Sequence, residues 1–369
     1  MNLDFSIRSG LRGRLRQLLG QQLALLAIVS LARADVTSIQ WRSMPSLPDT
    51  IGVAAPFVGV SHDALLVAGG ANFSAGLLWE GGVKVWHDEV YAMKDLAAGW
   101  EIIGRLPRPL AYGVSASHGN SVICVGGSDR QRHYADAFRI EIQGREIRIH
   151  PLPSLPRPMA NGAGAMLNGK LYIVAGTRTP DDSAAMHGFW VMDLSRMDAG
   201  WRELPVWPGP ARIYPVAGVQ DGAFFLFSGL ELSPSPTGGV VRRHLRDGYR
   251  FDPTTGVWTR TVDLPRPAAA APTPLIAIDR TTLVITGGDD GTIVDFKPLN
   301  QHPGFNRTML AYHTITDTWR TVGEIPASRV TTPTAQWRGL WIVPSGEVSP
   351  GVRSPEIWAL TAAGTLPPR

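Results

Sequence analysis

Short apolar runs that end in a small-residue doublet recur along the chain, at Gly69-Gly70, Gly126-Gly127, Ala175-Gly176, Ser228-Gly229, Gly287-Gly288 and Ser345-Gly346. Between them stand six Leu-Pro or Ile-Pro dipeptides: Leu47-Pro48, Leu106-Pro107, Leu155-Pro156, Leu204-Pro205, Leu264-Pro265 and Ile325-Pro326. Each dipeptide precedes a fresh apolar strand pattern, and four of them carry a tryptophan seven residues before the proline (Trp41, Trp100, Trp258, Trp319). A period of roughly 50–60 residues with four short strands per unit is the signature of a kelch-type β-propeller blade. The pattern predicts an all-β, six-bladed propeller.

Within a unit, one strand such as 111–117 follows the Leu-Pro, and a turn at His118-Gly119-Asn120 leads to a second strand, 121–125, that ends at the doublet. A polar loop, a third strand such as 135–140 and a fourth near the Trp complete it. Glycine suits the doublets because strands crowd near a propeller axis, where a backbone without Cβ packs closely and accepts positive φ. Tyr91, Phe138, Trp190, Tyr249 and Tyr312 read as packing between blades. The last unit, residues 339–360, lacks a following Trp, while Trp41 to Pro48 has no unit before it. Pairing the N-terminal strand into the last blade closes the ring and removes open sheet edges.

Forty Gly and 30 Pro among 369 residues agree with a turn-rich β protein. Residues 1–34 differ from the rest: Arg8, Arg12, Arg14 and Arg16 precede the apolar stretch 23–32, and Ala32-Arg33-Ala34 offers small residues at a cleavage site. This reads as a secretory signal cleaved before Asp35, leaving 35–369 as one propeller domain, exported to the periplasm or secreted. About ten apolar residues fall short of the roughly 20 that span a bilayer, so no stable membrane insertion is expected after cleavage. The chain has 35 basic and 31 acidic residues; five Arg and one Asp lie in 1–34, which leaves 30 of each. With no basic run elsewhere, nucleic acid is not an expected partner. Cys124, the only cysteine, sits in an apolar run, so no intramolecular disulfide forms.

The segments after the doublets (71–88, 128–134, 177–187, 230–246, 289–308, 347–355) vary widely in length and emerge on one face, which marks it as the binding face. Segments after each Leu-Pro emerge there too and carry Arg108, Arg157, Arg212, Arg266 and Arg329. A ring of Arg around a central funnel suits an anionic ligand; Arg at these positions also serves as a hydrogen-bonding group between blades. Asn72, Asp129, Arg130, Asp289 and Asp290 follow doublets and are further candidates for the funnel, although polar residues in such loops commonly cap turns. The expected substrate-binding set is Asn72, Arg108, Tyr112, Asp129, Arg130, Arg212, Asp290 and Arg329.

One loop departs from the others. In Ser345-Gly346-Glu347-Val348-Ser349-Pro350-Gly351-Val352-Arg353, a carboxylate follows the glycine, and a guanidinium six residues on folds back across a Pro-Gly turn. The pair supplies a base and an anion clamp, or a loop salt bridge. Gly346-Glu347-x-x-Pro350-Gly351-x-Arg353, with Ala111-Tyr112-Gly113-Val114-Ser115 leading into Cys124-Val125-Gly126-Gly127, resembles the N-acetylneuraminate epimerases, or sialic acid mutarotases. The tyrosine segment stands in the second unit rather than near the C-terminus, so the likeness is to a cyclically permuted branch, over residues 41–360.

That resemblance implies an isomerase that interconverts the α and β anomers of N-acetylneuraminate or a related small, anionic sugar by ring opening. Glu347 matches the proton acceptor and Arg353 the group that engages the sugar carboxylate. Ring opening needs a base for the anomeric hydroxyl and an acid for the ring oxygen; Tyr112, His244 or a bound water are candidates for the acid. No cofactor and no metal are expected. The family's long insertion is short here, at 291–307, which leaves the sugar open.

A non-catalytic carbohydrate- or protein-binding propeller is the alternative, since fold alone does not establish catalysis. Copper-oxidase chemistry on this architecture needs a Cys-Tyr crosslink and converging histidines, whereas Cys124 lies in a strand and His87-Asp88-Glu89 alternate between faces. An intracellular scaffold conflicts with the signal segment. Asn72-Phe73-Ser74 and Asn306-Arg307-Thr308 are glycosylation sequons, meaningful only in a eukaryotic secretory pathway.

Overall fold

Four-stranded antiparallel sheets repeat six times in the computed structural model, which describes residues 39–362. Blade 1 runs Phe57–Ser61, Ala64–Ala68, Glu89–Met93, Glu101–Arg105, and blade 2 Val114–His118, Ser121–Val125, Ala137–Gln143, Glu146–Leu152. Blade 3 is Ala163–Leu167, Lys170–Val174, Phe189–Asp193, Trp201–Glu203; blade 4 is Val216–Gln220, Ala223–Phe227, Gly248–Asp252, Val257–Thr261. Blade 5 comprises Ile276–Ala277, Thr282–Gly288, Asn306–His313 and Thr318–Glu324. In blade 6, Ala335–Trp337, Leu340–Pro344 and Ile357–Ala362 are joined by the N-terminal strand Ile39–Met44, the expected closure. The expected signal segment lies outside the described residues.

The apolar runs before the doublets become second strands because another blade covers each of their faces. Ala64–Ala68, Ser121–Val125 and Ala223–Phe227 are buried at every position, which is why they read as continuous apolar stretches. Fourth strands such as Glu101–Arg105 line the rim and are largely exposed. Apolar clusters join neighbouring blades: Phe57 and Leu66 meet Phe138 and Ile140, while Phe189 meets Phe224, Phe251 and Trp258. Trp100, Trp201 and Trp258 each donate Nε1–H to a proline carbonyl just after the preceding blade, Pro45, Pro153 and Pro205, at 2.9, 2.9 and 2.7 Å. The periodic tryptophan is thus both wedge and tether.

Both residues of every doublet have positive φ, and the second is always glycine at φ +98° to +107°. Ala175, Ser228 and Ser345 occupy the first position, where φ is +51° to +67°. The second cannot follow suit: a Cβ on Gly70 would lie 2.6 Å from Val53 Cβ, and one on Gly127 2.8 Å from the Ala111 carbonyl oxygen. Such close approach lets the N–H of Gly70, Gly127, Gly176 and Gly346 cross to the next blade, at the carbonyls of Leu110, Met159, Arg212 and Val53.

Nearer the axis, Ala54, Ala111, Ala160, Ile213, Ala269 and Val330 each bridge to the residue after a doublet. The residue that follows each of them turns left-handed: Ala55, Tyr112, Asn161, Tyr214, Ala270 and Thr331 have φ between +49° and +64°. Their N–H groups form a closed ring. Tyr112 donates to Ala55, Asn161 to Tyr112, Tyr214 to Asn161, Ala270 to Tyr214, Thr331 to Ala270 and Ala55 to Thr331, all at 2.6–3.0 Å. The expected strand 111–117 therefore begins only at Val114, because Ala111 and Tyr112 belong to this ring. The channel at the ring holds about 60 Å³, lined by residues such as Tyr112, Asn161, Tyr214 and Thr331. That is room for a few waters, not for a sugar.

The expected ring of Arg around the funnel does not form. Arg212 is fully buried and makes a two-pronged ion pair with Asp247, both contacts at 2.8 Å. Arg329 is equally buried and pairs with Glu356 at 2.8 Å; Arg108 pairs with Asp136; Arg266 donates to the carbonyls of Pro267, Gly287 and Thr308. Asp136, Asp247 and Glu356 each stand one residue before the third strand of the following blade, so the guanidinium locks that blade's turn. Arg157 points to solvent.

Burial alone would raise the Asp247 carboxyl, but the Arg212 fork and the Tyr249 hydroxyl hold it below its usual range. Removing the cation leaves a buried carboxylate unpaired. Arg212→Met should therefore cost about 3–5 kcal/mol at pH 7, read from urea denaturation. Because the folded carboxyl is depressed, the wild-type advantage is present above the unfolded value of about 3.9 and shrinks as pH falls through the folded one.

Candidate active site

Above the ring, three blades extend their post-doublet segments into hairpins: Ala71–Asn72 with Val85–Trp86, Leu230–Pro234 with Val240–His244, and Glu347–Ser349 with Val352–Arg353. Glu347 and Lys84 reach the ring side chains from two of these insertions, and the space over the six ring residues is the cup, with the ring as its floor. Every second position of that floor carries a hydroxyl, namely Tyr112, Tyr214 and Thr331, with Ala55, Asn161 and Ala270 between them.

The hairpin of blade 6 delivers Glu347 to the floor. Its N–H and C=O both bond Val330 at 3.0 Å, which seats it beside Thr331, and Thr331 Oγ1 donates to Glu347 Oε2 at 3.3 Å. The other carboxylate oxygen accepts the Gly351 N–H at 2.8 Å and faces Arg353 Nη1 at 3.5 Å. Gly351 (φ +83°) makes this turn, and Leu78 from the blade 1 insertion packs so close that a Cβ there would come within 2.7 Å of Leu78 Cβ. The Arg353 side chain is 2% exposed; its Nε donates to the Ala71 carbonyl at 3.3 Å and its guanidinium lies 4.8 Å from the Phe73 ring centre. Glu347 and Arg353, expected together from the Gly-Glu-x-x-Pro-Gly-x-Arg loop, are brought together.

Two ring positions from Thr331, at Tyr112, stands a cation that sequence reading missed. Lys84, on the blade 1 insertion, donates from Nζ to the Tyr112 hydroxyl at 3.2 Å and lies 5.1 and 5.6 Å from the ring centres of Tyr112 and Trp86. Tyr214 was missed as well. Burial first, then the neighbouring Tyr112 and the negative charge of Glu347, push its phenol well above the ordinary value, so it stays protonated. The signal available in the sequence is positional: Tyr112 and Tyr214 both stand two residues before a blade's first strand.

The other expected residues lie elsewhere. Asn72 is buried within the blade 1 hairpin, donating to the Gly52 carbonyl at 3.0 Å, with its Oδ1 2.9 Å from His87 Nε2. Asp129 caps its own turn, accepting from the N–H groups of Gln131 and Arg132 at 2.7 and 2.9 Å and from the Tyr134 hydroxyl. Asp290 does the same for Thr292 and also accepts from Asn306 Nδ2 at 2.7 Å. Arg130 is exposed on a groove that it shares with Lys84 and Trp86. His244 pairs with Asp289 at 3.0 Å and packs against Gly291, tying two loops together. Asp88 and Glu89 both pair with Arg105.

Among known proteins, a family model described as N-acetylneuraminate epimerase matches residues 26–149 and 152–297. The N-acetylneuraminate epimerase of Yersinia enterocolitica is 39% identical over 116 residues, 27% of this chain and 29% of that protein. The protein of the same name from Haemophilus influenzae is 31% identical over 126 residues, 30% of this chain and 33% of that one. The chain thus matches about a third or less of the length of these curated relatives. The solved structure titled "Structure of YjhT" superposes with a TM-score of 0.62 over 87% of this chain and 99% of that one, at 14% identity, a likeness of fold. The Glu347–Arg353 hairpin lies outside both stretches matched by the family model.

The turn that seats Glu347 is testable on its own. Gly351→Ala combines a left-handed backbone with a clash at Leu78, and should lower stability by about 1–3 kcal/mol, read as a fall in melting temperature with an unchanged β-sheet circular dichroism spectrum.

Proposed function

The chain belongs to the N-acetylneuraminate epimerase family, and we propose that it interconverts the α and β anomers of N-acetylneuraminate or a closely related acidic sugar by opening and reclosing the ring. One observation carries this reading: a carboxylate, Glu347, is fixed beside ring residue Thr331 and its own cation, within electrostatic reach of the Tyr214 phenol.

The reaction moves protons and one bond within the sugar. Glu347 takes the proton of the anomeric hydroxyl, whose electrons form the carbonyl as the bond to the ring oxygen breaks. Two fixed contacts, from Gly351 N–H and Thr331 Oγ1, hold the carboxylate at hydrogen-bond reach before the substrate arrives. Arg353 balances the charge of Glu347 while it is ionised. Once Glu347 holds the proton, the guanidinium loses that anion and turns its charge to the sugar carboxylate, which keeps the acidic sugar in place. Tyr214, kept protonated, contributes a hydrogen bond to the sugar.

We further propose that residues 1–34 are an export signal and that the enzyme works in the periplasm or outside the cell. The run of Arg followed by an apolar stretch and Ala32-Arg33-Ala34 supports this. Terminal sequencing of the exported chain should begin at Asp35; a chain that retains its apolar stretch would contradict it.

Glu347→Gln keeps the size and the contact with Gly351 but cannot accept the proton. Its kcat should fall by about 10²–10⁴-fold with little change in KM, followed by proton NMR of freshly released α anomer. A sugar that binds wild type and Glu347→Gln alike, with neither accelerating its equilibration, would instead mark a carbohydrate-binding propeller.

A further inference from the structure

The reaction needs an acid for the ring oxygen; the ring offers the hydroxyls of Tyr112, Tyr214 and Thr331, and the blade 4 hairpin the imidazole of His244. We propose that Tyr112 is that acid and that Lys84 is its positioning residue, an assignment that rests on the anomer exchange proposed above.

Three observations converge. An ammonium group has only donors, so in the 3.2 Å contact between Lys84 and Tyr112 the phenol oxygen accepts. The phenol hydrogen is left free to be given to a ligand in the cup. Among the described residues Lys84 makes no ion pair; its partners are the Tyr112 oxygen and the faces of Trp86 and Tyr112. Any negative charge that develops on the phenol oxygen is therefore met by a cation that no carboxylate has neutralised. Finally, Tyr112 holds a bulky side chain at φ +64°, a conformation that costs about 1–3 kcal/mol, although Ala55 and Ala270 make the same ring contact without one. Ring closure does not require a tyrosine there.

The competing groups are placed for other work. Tyr214 has no cation hydrogen-bonded to its oxygen among the described residues, and it faces the charge of Glu347, which opposes loss of its proton. His244 is held by Asp289 through Nε2, and its ring packs on Gly291, where a Cβ would lie 2.7 Å from Nδ1. Glu347 sits beside ring position Thr331, with Ala55 between it and Tyr112. The two groups thus approach a sugar from separate sides of the cup.

In the forward direction Glu347 removes the anomeric hydroxyl proton and the carbon–oxygen double bond forms. The ring carbon–oxygen bond breaks, its electron pair goes to the ring oxygen, and that oxygen takes the Tyr112 proton. The products are the open-chain ketone, a protonated Glu347 and a Tyr112 phenolate beside the Lys84 ammonium. After rotation exposes the other carbonyl face, the new hydroxyl attacks and returns its proton to Tyr112, while Glu347 returns its own to the carbonyl oxygen. Every proton and electron pair is restored at the end of the cycle.

The test measures kcat and KM for N-acetylneuraminate anomer exchange by NMR in wild type, Tyr112→Phe, Tyr214→Phe, Lys84→Met and Lys84→Arg. Tyr112→Phe should lose about 10²–10⁴-fold in kcat with KM nearly unchanged. Tyr214→Phe should raise KM and keep most of kcat. Lys84→Met should lower kcat about ten- to a hundredfold, and Lys84→Arg should recover most of it, which a packing role alone would not produce. If wild type accelerates the exchange and Tyr112→Phe does so equally, the acid assignment falls and the anomer exchange stands. If wild type leaves the approach to equilibrium unchanged, the functional reading falls and takes this assignment with it.

Discussion

Six backbone hydrogen bonds, running head to tail through Ala55, Tyr112, Asn161, Tyr214, Ala270 and Thr331, set where everything else on the binding face can be. A net contribution of about 0.5–1.5 kcal/mol per bond is offset by roughly 1–2 kcal/mol of left-handed backbone strain at each non-glycine residue. The ring therefore adds no net stability. Its effect is geometric: it narrows the channel to room for a few waters and sets six residues at fixed intervals around it. The stability that tolerates the strain comes from the apolar clusters between blades and from the hydrogen bonds that the doublet glycines send across.

On that floor, chemistry depends on which blades grow hairpins. Blade 6 brings a carboxylate already paired with its cation, and blade 1 brings a lysine that makes no ion pair among the described residues. The cup therefore carries an excess of positive charge next to a carboxylate held at short range. On the proposed reading, the first draws in an anionic sugar and the second acts on it. The two insertions also touch, since Leu78 of blade 1 packs on Gly351 of blade 6, so base and lysine are mutually positioned rather than independent.

Much of this was legible in the sequence because it is periodic. The doublets, the Leu-Pro dipeptides and Trp41 before the first unit carry the blade count and the closure, each tied to a backbone demand that only certain residues meet. The Glu347–Arg353 loop was legible because a Pro-Gly turn returns the chain on itself locally. What escaped was non-local. Arg108, Arg212 and Arg329 look free along the chain, yet each meets an acid 27–35 residues on that the blade geometry places beside it. Lys84 and Tyr112 are 28 residues apart, and their contact depends on an insertion folding back over the axis. Asn72, Asp129 and Asp290 show the reverse error: polar residues after a doublet have their own turns to satisfy first.

Whether the ring is the reaction floor is tested most directly by a crystal structure of the Glu347→Gln chain with N-acetylneuraminate bound. The sugar is predicted to lie over the six ring residues, its anomeric hydroxyl at the amide that replaces the Glu347 carboxylate and its ring oxygen at the Tyr112 hydroxyl. A sugar seated elsewhere, in the groove between Trp86 and Arg130 or at the rim of the blades, with the cup left to water, would contradict it.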